Sequence, residues 1–102
     1  MQEFLIKSRE QIADLCRQHH VRRLAVFGSA VRDDFDPARS DVDLLVEFEP
    51  IDLQEYFDNK SGLRESLSTI FARNVDLLTW KSIRNPYFLR EVEATRELLY
   101  AP

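Results

Sequence analysis

The chain has 102 residues, 44% hydrophobic and 31% charged, which is typical of one globular domain spanning residues 1–102 and excludes a disordered or collagen-like chain. Its 14 basic and 18 acidic residues give a formal net charge of −4, which disfavours non-specific binding to DNA or RNA, so no direct nucleic-acid partner is expected. Because it has no run of ~20 apolar residues, no secretory-signal pattern in residues 1–7 and only one cysteine, we expect a cytoplasmic protein without membrane contact.

The first half of the chain predicts a helix followed by two strands. Apolar residues at helical spacing predict a helix over residues 2–19, and a capping box at Ser8 predicts that its regular part starts there. A short apolar run that ends at a glycine favours a buried strand at residues 21–27. Turn-forming residues predict a loop over 33–40, and alternating apolar residues predict a second strand over 41–48.

The second half predicts a helix, a third strand and a final helix. Apolar residues recur with helical period over residues 53–71, where Gly62 is a possible break. Residues 75–79 form a short apolar run typical of a strand. Asn85 followed by proline predicts the start of a last helix that extends to about residue 100.

These elements predict an α/β (α+β) fold with a small mixed three-stranded sheet packed against helices. The link between the first two strands is too short for a crossover, so we expect them to be antiparallel neighbours. The long helix between the second and third strands predicts a parallel pair joined by a right-handed crossover.

Two short motifs lie where the first strand ends and the second begins. Gly28-Ser29 is separated by eleven residues from Asp41-Val42-Asp43. Side chains two apart on a strand point to the same face, so Asp41 and Asp43 project together. The predicted topology also brings Asp76, early in the third strand, to the same edge of the sheet.

The clustered aspartates predict a cation site for phosphate chemistry. Nearby carboxylates repel each other, and the repulsion is relieved by Mg²⁺, which takes oxygen ligands from carboxylates, phosphates and water. Two such ions can stabilise both the attacking and the leaving oxygen at phosphorus. The Gly28-Ser29 turn suits phosphate binding through the serine hydroxyl and backbone N–H groups. The alternative is a solvated acidic face, since seven carboxylates and no basic residue lie between residues 41 and 58.

Three segments carry a family resemblance: Phe27-Gly28-Ser29-Ala30-Val31-Arg32, the run from Arg39 to Phe48, and Asn74-Val75-Asp76-Leu77-Leu78. They resemble the minimal nucleotidyltransferases of the DNA polymerase β superfamily, and in particular the MNT-type antitoxins that partner HEPN-domain RNase toxins. The resemblance extends over essentially the whole chain. This chain departs from the family pattern after Arg32, where two aspartates follow in place of the glycine that the family often has.

The resemblance implies an adenylyltransferase that uses two Mg²⁺ ions and transfers AMP from ATP to a tyrosine of a HEPN toxin, within a hetero-oligomer. It implies that Asp41, Asp43 and Asp76 are the catalytic residues and metal ligands, with Asp76 on the acceptor side. Gly28 and Ser29 match the phosphate-binding turn. Arg39 and Ser40, which adjoin Asp41, are assigned to the nucleotide site, although Arg39 either reaches a triphosphate or covers the carboxylates.

Two other functions stay open at this point. A non-catalytic antitoxin would neutralise its toxin by binding and masking it, although masking does not require three aspartates. Transfer to RNA or to a small molecule is disfavoured because the chain has no segment left to form an acceptor domain. Three other residues that could bind a metal or act in catalysis are better explained by structural roles. His19 and His20 are expected to cap the C-terminal end of the first helix, and Cys16 is expected to lie in the core.

Overall fold

The fold is described by a computed structural model for residues 2–32, 35–36 and 40–101. Its α-helices are α1 (Glu3–Lys7), α2 (Arg9–Gln18), α3 (Leu53–Phe71) and α4 (Pro86–Thr95). Its strands are β1 (Val21–Phe27), β2 (Val42–Phe48), β3 (Val75–Thr79) and β4 (Glu97–Tyr100). Short 3₁₀ turns follow β1 at Gly28–Val31 and β3 at Trp80–Ser82.

The N-terminal helix is interrupted at Ser8, which separates α1 from α2. The Ser8 side chain makes no capping hydrogen bond, so the predicted capping box is wrong. The backbone stays connected across the interruption, because Ser8 N–H donates to Phe4 (3.2 Å) and Ile12 N–H donates to the Ser8 carbonyl (2.9 Å).

The ends of α3 and α4 follow the local sequence. The Asp52 carboxylate accepts a hydrogen bond from Glu55 N–H (2.8 Å) and so caps α3, which passes through Gly62 without a break. Asn85 accepts hydrogen bonds from the backbone N–H groups of Tyr87 and Phe88, which confirms the predicted cap of α4.

The sheet has four strands in the order β3-β2-β1-β4. The mixed α/β architecture, the antiparallel pair β1–β2 and the parallel pair β2–β3 are confirmed. The count of three strands is wrong, because α4 ends at Thr95 and residues 97–100 pair antiparallel with β1. Arg96, with φ −62° and ψ 149°, turns the chain from the helix into this fourth strand.

The two faces of the sheet are covered unequally. One face packs against α1, α2 and α3 in the main core, where Cys16 is fully buried as predicted. The other face carries a smaller cluster of Ala25, Phe27, Leu45 and Val92, and α4 covers it. Strand alternation therefore puts odd-numbered β2 residues, including Asp43, on the face that α4 covers.

The remaining features are the C-terminal end of α2 and the exposed aromatic rings. His19 ends α2 as predicted, and its Nδ1 hydrogen-bonds Asn59 Oδ1 at 3.0 Å. Of the exposed aromatic rings, Phe57 lies on α3, and Tyr87 and Phe88 lie on α4. Within the described ranges, none of the helices is both long and apolar enough to cross a bilayer.

Candidate active site

The end of β1 and the starts of β2 and β3 meet at one edge of the sheet. Phe27 of β1 pairs with Asp43 of β2, and Asp43 pairs with Asp76 of β3. Registered neighbours point to the same face, so Asp43 and Asp76 project side by side. The structure thus brings together Gly28, Asp43 and Asp76, as the predicted topology requires.

The Gly28 backbone lies close to the Asp43 carboxylate. Its φ is +71°, in the left-handed region, and a Cβ placed there would lie 2.5 Å from Asp43 Oδ2. Only a glycine lets the Asp43 carboxylate lie this close to the backbone without displacement. The 3₁₀ turn that begins at Gly28 places Ser29 next, with its carbonyl accepting from Arg32 N–H at 3.0 Å.

Asp43 is the site carboxylate whose pKa is shifted by burial and by the neighbouring charges. It is half-buried, whereas Asp41 and Asp76 are exposed. Burial is the largest cause that raises the pKa of Asp43, and the negative charges of Asp76 and Asp41 raise it further; Arg32 acts in the opposite direction. The site therefore holds excess negative charge that a bound cation would neutralise.

A cleft of about 380 Å³ lies between this edge of the sheet and α4. Gly28, Ser29, Arg32, Asp43 and Asp76 line one side of it. The opposite wall is formed by one face of α4, and Phe27, Val31 and Leu78 provide apolar surface between them. The cleft is thus charged along the sheet edge and mainly apolar elsewhere.

Asp41 and Ser40 do not line this cleft. Asp41 precedes β2 and acts on Asp43 through its charge. The Ser40 hydroxyl accepts a hydrogen bond from Asp36 N–H (2.9 Å), and Ser40 N–H donates to the Asp36 carbonyl (2.8 Å). Ser40 therefore does not share the cleft with Gly28, Ser29, Asp43 and Asp76, and Arg39 lies outside the described residues.

The oxygen donors of this site fit a hard divalent cation whose coordination shell is completed by phosphate oxygens and water. Across the part of the chain that the structure describes, no three His, Cys, Asp or Glu side chains are placed to hold a metal ion together. Mg²⁺ does not need such a cage, since it is commonly held by one or two carboxylates together with phosphate oxygens and water. The carboxylates of Asp43 and Asp76, beside the Ser29 hydroxyl, offer only oxygen donors.

The wall that α4 contributes to the cleft was not predicted from the sequence. Its four lining residues are Phe88, Glu91, Val92 and Thr95. They are spaced i, i+3, i+4 and i+7, which is the signature of a single helix face. This spacing identifies the face, but only the tertiary structure shows that it is turned toward the carboxylates.

Comparison with known proteins gives a consistent family. The family described as "Nucleotidyltransferase domain" matches residues 8–99. A relative from Methanocaldococcus jannaschii, named "Putative protein adenylyltransferase", is 33% identical over 104 residues, which cover 93% of this chain and 99% of the relative.

Two solved structures have a similar fold. One, described as a "putative minimal nucleotidyltransferase", is 28% identical with a TM-score of 0.71, covering 93% of this chain and 92% of the other. The second is a chain in the complex of tri-AMPylated Shewanella oneidensis HEPN toxin with MNT antitoxin. It has a TM-score of 0.64 at 18% identity, covering 96% of this chain and 73% of the other. At that identity the second match shows the shared fold alone.

Proposed function

This chain belongs to the nucleotidyltransferase domain family, and from that premise we propose that it is an antitoxin that transfers AMP from ATP to a tyrosine of a HEPN-domain RNase toxin. The proposal is supported by the relative named as a protein adenylyltransferase, which has nearly the same length. It is also supported by the fold shared with a chain of a solved toxin–antitoxin complex. The net charge of −4 favours a protein acceptor over a nucleic acid.

One observation carries the proposal: the contact between the Gly28 backbone and the Asp43 carboxylate, with Asp76 beside it in register. The Gly28-Ser29 turn, which would bind phosphate, lies beside two carboxylates. Burying Asp43 among like charges is unfavourable for the protein alone. A protein that only masks its toxin gains nothing from this arrangement, whereas a metal-dependent transferase requires it.

The residues divide into a donor side and an acceptor side. Gly28 and Ser29 would bind the triphosphate through backbone N–H groups and the serine hydroxyl. Asp41 and Asp43 would hold the Mg²⁺ ions on the donor side, and Asp76, beside Asp43 at the same edge, would serve the acceptor side. When bound, the ions supply charge that stabilises the attacking and leaving oxygens at phosphorus.

The transfer step exchanges one phosphorus–oxygen bond for another. The tyrosine oxygen attacks the α-phosphorus of ATP, a new bond to that oxygen forms, and the bond to the bridging oxygen breaks, so diphosphate leaves. A phenol has a pKa of about 10, so its proton must be removed for efficient attack at neutral pH. Asp76 is exposed next to Asp43 and would accept that proton.

The test is AMP transfer to a HEPN-domain protein co-expressed with this chain, measured by intact mass. Wild-type chain should add one or more AMP units to the partner. Asp76→Asn should slow transfer by ~10²-fold or more while nucleotide binding in calorimetry stays close to wild type. Asp58→Asn removes an exposed carboxylate of α3 outside the cleft and should leave both unchanged.

Masking without catalysis predicts a different result. The partner would then be inhibited at its unmodified mass, and Asp76→Asn would inhibit it as well as wild type does. That outcome would refute the transferase and leave the binding antitoxin. Equal loss of nucleotide binding and transfer in Asp76→Asn would instead make the residue a metal ligand only.

A further inference from the structure

We propose that the α4 wall of the cleft binds the nucleoside of the donor, with the base stacked on Phe88 and selected by Glu91. This inference rests on the proposed function, because it assigns the part of the cleft that the triphosphate and the aspartates do not use. It makes Phe88 and Glu91 specificity-determining residues.

The position of Phe88 suits a base that extends from the triphosphate. Its ring packs edge-to-face on Phe27, with centroids 6.0 Å apart at 71°. Phe27 immediately precedes Gly28 and pairs with Asp43 in the sheet. A nucleotide with its phosphates at Gly28 and Ser29 would therefore place its nucleoside next to Phe88.

Phe88 keeps an available surface. It is 39% exposed although it lines the cleft, and Val92 below it is buried. Aromatic rings with a free face bind nucleobases by stacking, and the interaction needs no hydrogen bond. Its neighbour Tyr87 is 77% exposed and does not line the cleft, so the two rings of the same helix differ in access.

Glu91 provides a basis for choosing adenine. It is an exposed carboxylate on the cleft wall, one helical turn after Phe88, and a carboxylate only accepts hydrogen bonds. Adenine presents an amino group as a donor where guanine presents a carbonyl oxygen. The neighbouring Thr95 hydroxyl already donates to the Glu91 backbone carbonyl at 2.8 Å, so its hydrogen is not available to a base.

The experiment compares two probes by calorimetry in the presence of Mg²⁺ and without any acceptor protein. One is the non-hydrolysable ATP analogue with a methylene bridge between the α- and β-phosphates. The other is inorganic tripolyphosphate, which has no nucleoside. Phe88→Leu should weaken binding of the analogue by about tenfold and leave tripolyphosphate binding unchanged.

Three variants complete the design. Tyr87→Leu makes the same kind of change on the adjacent residue and should bind both probes like wild type. Phe88→Trp keeps an aromatic face and should retain binding of the analogue, which separates loss of stacking from loss of folding. Glu91→Gln adds a donor, so it should reduce the preference for the adenine analogue over its guanine counterpart several-fold.

The outcomes separate this inference from the proposed function. Unchanged analogue binding in Phe88→Leu, or equal weakening of both probes, would overturn the nucleoside assignment while transfer to the partner still stands. If Phe88→Leu raised the KM for the partner protein and left nucleotide affinity unchanged, the nucleoside assignment would also be overturned, because α4 would then contact the acceptor. Conversely, Phe88-dependent binding of the analogue without AMP on the partner would uphold the subsite and refute the transferase.

Discussion

Gly28→Ala is the sharpest perturbation of the site that the structure offers. The alanine would have to adopt φ +71°, which costs ~1–2 kcal/mol for a residue with a Cβ. Its Cβ would also lie 2.5 Å from Asp43 Oδ2, where an ordinary contact is at least 3.4 Å. The carboxylate must therefore move by roughly 1 Å, a displacement that can cost ~10²-fold in rate.

The expected result has two parts that are measured separately. The free energy of unfolding should fall by ~1–3 kcal/mol in denaturant titrations, since the strain is local and surface groups can adjust. AMP transfer to the co-expressed partner should fall by ~10²-fold, measured with wild-type and variant chains at saturating ATP. A fall in activity at temperatures where the variant is fully folded assigns the effect to the displaced carboxylate.

Gly62→Ala is the matched control, because the chain has only two glycines. A Cβ at Gly62 would lie 2.9 Å from the end of the His19 ring, which can move. The alanine would stabilise α3 by ~1 kcal/mol through its higher helix propensity. The displaced His19 ring would weaken its hydrogen bond with Asn59, which offsets that gain. We expect little net change in stability and none in transfer. Near wild-type transfer in Gly28→Ala, or equal losses in both variants, would refute the reasoning.

Three further predictions address other parts of the chain. Asp43→Asn should abolish transfer yet leave the ligand-free protein at least as stable as wild type in thermal melts, because burial and like charges oppose its ionised form; a clear loss of stability would contradict this. Trp80→Phe and Glu93→Ala should each lower the free energy of unfolding by ~0.5–1 kcal/mol, because the Trp80 indole N–H donates to the Glu93 carboxylate at 2.6 Å. If the losses simply add in the double variant, no such hydrogen bond forms. Burial raises the pKa of the Cys16 thiol to about 12 from 9.0. The thiol of the unfolded chain therefore loses its proton at a lower pH than the buried thiol does. Between pH 9.0 and about 12 the free energy of unfolding should fall by about 1.4 kcal/mol per pH unit. Cys16→Ala should lack this decline, and parallel pH profiles would refute it.

Most of the fold was predictable because the decisive signals are local. The apolar run at residues 21–27 and the helical period at 53–71 match the observed β1 and α3. Loop lengths alone predicted which strands pair antiparallel and which parallel. Those pairings place Asp43 and Asp76 at the same edge of the sheet, so the centre of the candidate site was also predictable from sequence; their exact register is seen only in the structure.

The fourth strand was not predictable in the same way. Leu98 and Leu99 continue a pattern that also fits the apolar side of α4, so periodicity favoured a longer helix. What decides between the two is the free edge of β1, which pairs with residues 97–100 and is distant in sequence. The α4 wall escaped notice for a related reason, since the direction that a helix face points depends on its packing against the sheet.

The alternation of β2 links the core to the site. Val42, Leu44 and Val46 are fully buried on the face that α2 and α3 cover, and Asp43 lies between them on the opposite face. A slip of one residue would turn Asp43 into the core and expose the three apolar side chains, both of which are strongly unfavourable. Packing on one face therefore fixes the position of the carboxylate on the other. It follows that small changes in core volume should lower stability before they displace Asp43, whereas Gly28→Ala should displace it directly.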